Sequence, residues 1–599
     1  MSSSTNSTSE GLATYTIKVS GNVIPDNLNI FSIHVEKKVN RISTAKIVIF
    51  DGDASTGTFD VSSSSVFVPG NQISIEAGYD GNNNIIFQGI ITQQSLRIDG
   101  IVGSTLEVEC RDEAIKMTAG RKSLSFSQKT DSEVISSIIG NYGSLKADVS
   151  ATNYIWPEQV QFYVSDWDFI LSLADMNGLI VTALNGTVTV KAPGANPDPV
   201  LNICYGDNLL SFRADMNALT QLDSIKTSTW DYKQQALSDV VVPNSYSGPG
   251  NIPSGTLARA VGIPAYGLQT TAPLENAELN NWANAQLLKS NYAKIQGEAK
   301  FQGNSMVDPG KFITFTGLGD RFNGDHLVSG VVHDLSDGNW FTEVSIGLSA
   351  EWITEEPDVM APSASGMLPG ARGLFNGTVK KIYGDPDSQY RILVEVPMFN
   401  QNGAGIWARL ANFYSTSGAG AFFLPEVGDE VVLGFLNEDP RSPVILGSMY
   451  SSPKIQPSER LVPNEKNALK AIVSKSKISI EFDDENKVLT IATPGNNKVV
   501  LSDMEKKISL QDENSNSITM SPDGITIKSA KNINLEAGEN VSVSGVQGVK
   551  VNASGGDLAM SGINIKQQAN MQFSAKGAQM AAVEGGMELT LKGAMVMIN

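Results

Sequence analysis

Residues 525–551 read ITIKSAKNINLEAGENVSVSGVQGVKV, and this stretch decides the fold of the C-terminal part. Apolar residues stand in pairs at alternate positions: Ile525/Ile527, Ile533/Leu535, Val541/Val543 and Val549/Val551, each pair eight residues after the last. Alternation predicts strands with one buried face. Gly538 and Gly548 fall between pairs, where tight turns are expected. So short a period predicts strands stacked along an axis, a β-helix or solenoid. After a less regular patch (Leu558/Met560, Ile563/Ile565) the rhythm returns at Met571/Phe573, Met587/Leu589 and Met595/Met597, with Gly555, Gly577, Gly585 and Gly593 interspersed. One such chain has too little apolar surface to close a core. Three chains wound together would bury the stripes against one another and pair the open edges. A homotrimeric β-helix is therefore expected, ahead of a single-chain solenoid. Its core residues are Ile525, Ile527, Ile533, Leu535, Val541, Val543, Val549, Val551, Met571, Phe573, Met587 and Leu589.

Working outward, composition changes near residue 465. Trp407, Tyr450 and Arg460 are the last of their kinds, and from Lys466 to Asn599 the only aromatics are Phe482 and Phe573. That stretch holds 14 Lys and 14 Asp+Glu, so the whole excess of 63 acids over 44 bases, −19, lies in the first 465 residues. This acidic balance disfavours nucleic acid as a partner. The chain has 599 residues, room for about four domains. With 41% hydrophobic residues it can build real cores, and two cysteines, Cys110 and Cys204, cannot make a disulfide framework. The N-terminus MSSSTNSTSE lacks the order of a signal peptide, and no apolar run is long enough for a transmembrane helix. Synthesis in the cytoplasm is expected, with any export by a route other than general secretion.

Before the needle lies a compact segment, Gly373–Tyr450, with strands expected at Leu374–Lys380, Tyr390–Val396, Gly405–Leu410 and Glu430–Phe435. Such spacing predicts a small barrel. The first 350 residues mix strands (Thr14–Val19, Lys46–Phe50, Gln72–Ala77, Ile85–Thr92, Leu106–Cys110, Val328–His333) with helices at Asp131–Tyr142, Asp166–Asn177 and Leu274–Ala293. The second helix carries a start signal, Ser165 three residues before Asp168, and a stop at Gly178.

This order of parts resembles the VgrG family of spike proteins from contractile injection machines, with their phage-tail and extracellular-injection relatives. The resemblance rests on Gly78-Tyr79 with Phe87-Gln-Gly-Ile-Ile91, and on Cys110-Arg-Asp-Glu-Ala114 followed by Arg121 and Thr130-Asp131. Further on, Ser165-Asp-Trp-Asp-Phe-Ile170 precedes Asn177-Gly178, Gly297 and Gly303 precede Val307-Asp-Pro-Gly310, and Val331-Val-His333 precedes Phe341-Thr342. The middle segment looks like the family's OB-fold at Gly377-Thr-Val379, Arg391–Val396, Trp407-Ala-Arg409, Pro425–Val431 and Asp439–Gly447. The resemblance implies a mainly β protein with a few helices. Residues 1–10 form a flexible tail and 11–360 a hub of two β-barrels with helical insertions. An OB-fold at 373–450, a connector at 451–465 and a triple-stranded β-helix spike at 466–599 follow. It implies a homotrimer that meets a hexameric inner tube protein and baseplate components, assembles into the injection particle, and crosses a target membrane transiently. A PAAR-type tip protein, or effector cargo bearing one, would cap the uncharged end at Met595, Met597, Ile598 and Asn599.

Enzyme signatures are missing: there is no G-x-S-x-G, G-x-G-x-x-G, P-loop or H-E-x-x-H. No catalytic, cofactor-binding or metal-binding residue is expected, and no enzymatic activity. No room for a lysozyme domain lies between barrel and needle, and a fused toxin is not expected, since the chain stops inside the octad rhythm. His326 and His333 read as barrel histidines and Cys110 as a small buried residue. Two other functions compete. A trimeric β-helical tail fibre or adhesin would end in a broad head. A polysaccharide-degrading tailspike would need paired carboxylates in a groove, whereas Asp483/Asp484/Glu485 and Asp512/Glu513 read as solvated turns.

Overall fold

The computed structural model describes residues 11–25, 27–101, 103–194, 197–263, 265–357, 359–399, 405–451 and 457–598. The expected flexible tail at 1–10 lies outside the described residues, as do 452–456 of the connector. The chain divides into two compact units, Met1–Met449 and Tyr450–Asn599.

The first unit is built on alternation. In Thr44–Phe50, Ala45, Ile47 and Ile49 are buried while Lys46 faces outward to Glu107. The same pattern drives Ala13–Val19, Gln72–Tyr79, Asn82–Asp99, Gly103–Arg111, Thr44–Phe50 and Ile30–Lys38 to pair antiparallel in that order. Their inward residues make one core around Ile33, Ile47, Ile75, Phe87 and Val108. Ile30–Lys38 then pairs with the long strand Gly324–Ser336, setting His34 opposite Asp334. From there the sheet continues through Asn339–Ile346, Ile295–Gln302 and Leu209–Met216. Phe312–Thr316 and Pro199–Cys204 join at the other end of the long strand. This second half wraps its own core around Phe301, Ile313, Phe315, Val331 and Val344. The two expected hub barrels are thus two lobes of one thirteen-stranded sheet, each with a separate core. Gly303 is required where the lobes meet, because a Cβ there would fall 2.0 Å from the Trp340 ring.

The helices sit beside these lobes. Asp166–Met176 begins where Ser165 Oγ accepts the Asp168 N–H at 3.1 Å, and stops before Gly178, whose φ of +65° suits glycine. Asp131–Gly140 starts with a capping box between Thr130 and Glu133. Asn276–Tyr292 buries Leu279, Ala283, Ala285 and Leu287, packing on a small sheet of Ser224–Asp231, Ala236–Pro243 and Tyr266–Thr270. Leu274 precedes this helix rather than lying on its apolar face, and a further helix, Ser254–Val261, was not expected from the sequence. Among the described residues no helix is long and apolar enough to cross a membrane.

The OB segment closes into a five-stranded barrel: Phe375–Lys381, Ile392–Glu395, Ile406–Leu410, Pro443–Ser448 and Glu430–Phe435. Val379, Val394, Ala408, Val431, Leu433 and Ile445 fill it. The Pro425–Glu430 stretch makes a turn before the strand Glu430–Phe435. Asp429 accepts the Glu426 N–H at 2.9 Å, and Gly428 supplies a φ of +90°.

The second unit opens with a seven-stranded antiparallel meander: Leu469–Val473, Ser479–Asp483, Val488–Ala492, Lys498–Ser502, Lys507–Gln511, Ser517–Ser521 and Gly524–Lys528. The expected uniform needle over 466–599 is therefore divided in two, a wide meander and, beyond it, the octad chain.

Two buried histidines give the hub a pH dependence. His326 and His333 lie on the long strand, and burial pushes both below the ordinary imidazole range. The unfolded chain takes up protons on them below about pH 6.5, while the folded chain does not, so stability present above that pH is lost as the solution is acidified. Each costs about 1.4 kcal/mol per pH unit there. His34, raised by its hydrogen bond to Asp334, acts with the opposite sign but is half-exposed and weakly coupled to stability. The thermal midpoint of the hub is expected to fall between pH 7.5 and 5.5, and to fall less in His333→Gln. A flat midpoint in the parent chain would show that neither histidine is held neutral.

Candidate trimer interface and needle tip

The meander sorts its side chains by face. Cross-strand register links Ile472, Ile480, Ile491, Val499, Leu510, Ile518 and Ile527 in one unbroken row. A second row on the same face links Phe482, Leu489, Leu501, Ile508, Met520 and Ile525. The opposite face carries Glu481, Thr490, Ser509, Thr519 and Thr526, with Ala471 and Val500 between them. None of the 13 residues of the two apolar rows is buried in a single copy. Covering what remains exposed is worth on the order of 10 kcal/mol per copy before association costs. A sheet with one mostly polar face and one uncovered face that is apolar except for Lys470 at its edge is half of a core.

Beyond Lys528 the octads appear in the backbone. Bends recur at 530/531, 538/539, 546/547, 554–556, 563, 570/571, 578/579, 586/587 and 594. The eight-residue period thus runs unbroken through the patch that looked irregular in sequence. Each bend is entered from a small residue: Ser529, Ala537, Gly545, Ala553, Ser561, Ala569, Gly577, Gly585 and Gly593. At Gly545, Gly577 and Gly585 the reason is close approach of the chain to itself. A Cβ on Gly577 would lie 2.1 Å from the Met580 carbonyl oxygen, and one on Gly585 2.4 Å from that of Glu588.

The expected core residues divide accordingly. Ile525 and Ile527 pair with Met520 and Ile518 in the last meander strand. Ile533, Leu535, Val541, Val543, Val549, Val551, Met571, Phe573, Met587 and Leu589 lie on the octad chain and are all exposed, Met571 fully. Every residue from 530 to 598 is exposed, and among the described residues no strand pairing follows Lys528. Ordering about 70 such residues costs on the order of 100 kcal/mol of conformational entropy, which a lone chain here offsets with almost nothing. Met595, Met597 and Ile598 are exposed at the end, and Asn599 lies outside the described residues.

The junction between meander and octads is pinned. Asp512 accepts both the Asn516 N–H (2.8 Å) and its side-chain amide (2.7 Å), and Asn516 Oδ1 accepts Ser529 Oγ–H (2.8 Å) and the Ala530 N–H (3.0 Å). Asp483 likewise accepts the Asn486 N–H and side chain at 3.0 and 2.9 Å, so these carboxylates serve turns. In the hub, His326 Nε2 meets the Phe322 carbonyl at 2.8 Å and His333 Nδ1 the Thr342 hydroxyl at 3.0 Å. Cys110 is buried, its thiol pushed up to about 12 by burial, which leaves no thiolate for chemistry.

The apolar rows were not foreseen from sequence; their signal was alternation within each five-residue strand. Ile491→Asp should destabilise the assembled state by on the order of 4 kcal/mol per copy, because it would seat a carboxylate in an apolar contact. Thr519→Asp, on the polar face, should leave assembly intact. Equal loss of oligomer mass in both variants would show that the face does not matter.

Three family models match the chain. Residues 9–337, more than half of it, match the Alg8 N-terminal domain; 375–450 match the type VI secretion system/phage-baseplate injector OB domain; 488–559 match the phage baseplate V C-terminal trimerisation domain. No curated protein matches. Solved structures with similarity include the 43 kDa tail protein of prophage MuSo2 from Shewanella oneidensis (10% identity, TM-score 0.42, covering 56% of this chain and 99% of that one). A tail protein from Neisseria meningitidis is similar at 14% identity and TM-score 0.42, over 58% of this chain and 99% of that one. The E. coli c3393 protein, a component of the type VI secretion system, is similar at 11% identity and TM-score 0.38, over 72% and 99%. The chain belongs to the Alg8 N-terminal-domain family by its residues 9–337, and after them it carries two VgrG-like phage-baseplate domains, the injector OB domain and the C-terminal trimerisation domain.

Proposed function

We propose that three copies of this chain form the spike of a contractile injection machine. The uncovered apolar face of the meander carries the reading. Three such faces turned toward a common axis bury one another, and the octad strands that follow find partners in the neighbouring copies. Trimerisation is thereby the folding step of the C-terminal unit.

In this reading the hub meets the hexameric inner tube and the baseplate. Two sheet lobes in each of three copies give six similar lobes, a match to sixfold symmetry. The OB barrel joins hub to needle. The needle's role is mechanical and not catalytic: interwound strands around a dry core transmit axial thrust when a sheath contracts, and carry the tip through a target membrane. The uncharged end, Met595, Met597, Ile598 and Asn599, offers three apolar chain ends to a PAAR-type cap, alone or fused to effector cargo. Delivery is then outside the producing cell or into a target.

Sedimentation velocity tests the assembly. Full-length protein should run near three times 63.9 kDa, and a chain ending at Glu465 should lose trimer stability. A compact full-length monomer at micromolar concentration would overturn the reading.

A further inference from the structure

The OB barrel carries an apolar surface that its own fold does not use. Between the strands Ile406–Leu410 and Glu430–Phe435 the chain makes a short hairpin, Ser415–Thr416 against Ala419–Gly420. At its base stand Phe413, Tyr414, Phe422 and Phe423, exposed at 88%, 55%, 70% and 63%. Residues 411–424, ANFYSTSGAGAFFL, hold no charged side chain, in a chain that is 18% charged. None of the four rings belongs to the barrel core, and none makes a ring contact among the described residues. At about 150–250 Å² per aromatic side chain, the exposed part sums to roughly 500 Å². That is the size of the largest patch on an ordinary monomer and marks an interface.

The same barrel has a second apolar patch. Phe375, Phe399 and Phe435 form a triad with ring centroids 5.0–5.4 Å apart, flanked by exposed Leu374, Met398 and Leu436. A threefold ring demands such a pair of unlike surfaces, since each copy gives one face to the next and receives another. The trimerisation match begins at residue 488, about 40 residues after the barrel's last strand, so a trimer would hold three barrels at high effective concentration.

We propose that the aromatic hairpin docks on the Phe375/Phe399/Phe435 triad of a neighbouring copy, closing the three OB barrels into a ring. The inference rests on the trimeric reading and names its contact. Aromatic side chains suit the role, because they bury large area with few rotatable bonds.

The test replaces Phe413 in the full-length chain by a benzophenone amino acid and irradiates the purified protein. Covalent dimers and trimers are expected on a denaturing gel, with the linked peptides mapping to 374–399 or 435–436. A second variant, Phe422→Ser with Phe423→Ser, should lower the linked fraction at least tenfold while sedimentation still reports a trimer. A trimer that links only within its own copy, or at other segments, would overturn the docking and leave the trimeric reading standing. A monomer would overturn both.

Discussion

Unsatisfied surface in residues 469–598 is the constraint on which the whole assembly depends. The meander offers an apolar face with nothing over it, and the octad chain offers backbone N–H and C=O groups with no strand beside them. Either alone would be a liability, an edge or patch that recruits whatever it meets. In the proposed trimer both would be met at once, by identical copies that bring the same residues together at each level. The eight-residue bends keep every repeat of the octad chain the same length.

The first unit obeys the opposite logic. Its lobes and its OB barrel each close around their own cores and need no second copy to fold. The acidic excess is confined there, a balance that favours solubility and disfavours contact with nucleic acid. The C-terminal stretch is neutral, so in the proposed trimer three copies would meet without net charge repulsion.

Legibility in the sequence followed the range of the interactions. Octads, the Ser165 cap and the alternation within four of the five barrel strands depend on neighbours a few residues away and were visible; the fifth strand, Pro443–Ser448, was not. The strand Glu430–Phe435 was placed to the residue. The union of the two hub lobes depends on pairing His34 with Asp334, 300 residues apart, and no local pattern announces that. The meander was hidden for a different reason. Its turns place Lys477, Lys487, Asn496, Lys506 and Ser515 at positive φ where glycine is the usual signal, so the stretch lacked punctuation. The patch around Gly555–Ile563 looked irregular because Leu558/Met560 stand one place late and Ile563/Ile565, like the pairs after them, two places early, while the bends keep the period. The aromatic hairpin of the barrel was legible only as an uncharged run; its exposure is a tertiary fact.

Hydrogen–deuterium exchange of the full-length chain addresses the central claim most directly, because it reads the backbone groups that a single copy leaves unpaired. The account predicts that amides between residues 530 and 598 exchange slowly, as those of the hub core do, and become fast when Ile491→Asp prevents assembly. Fast exchange through this stretch in the intact protein would contradict it.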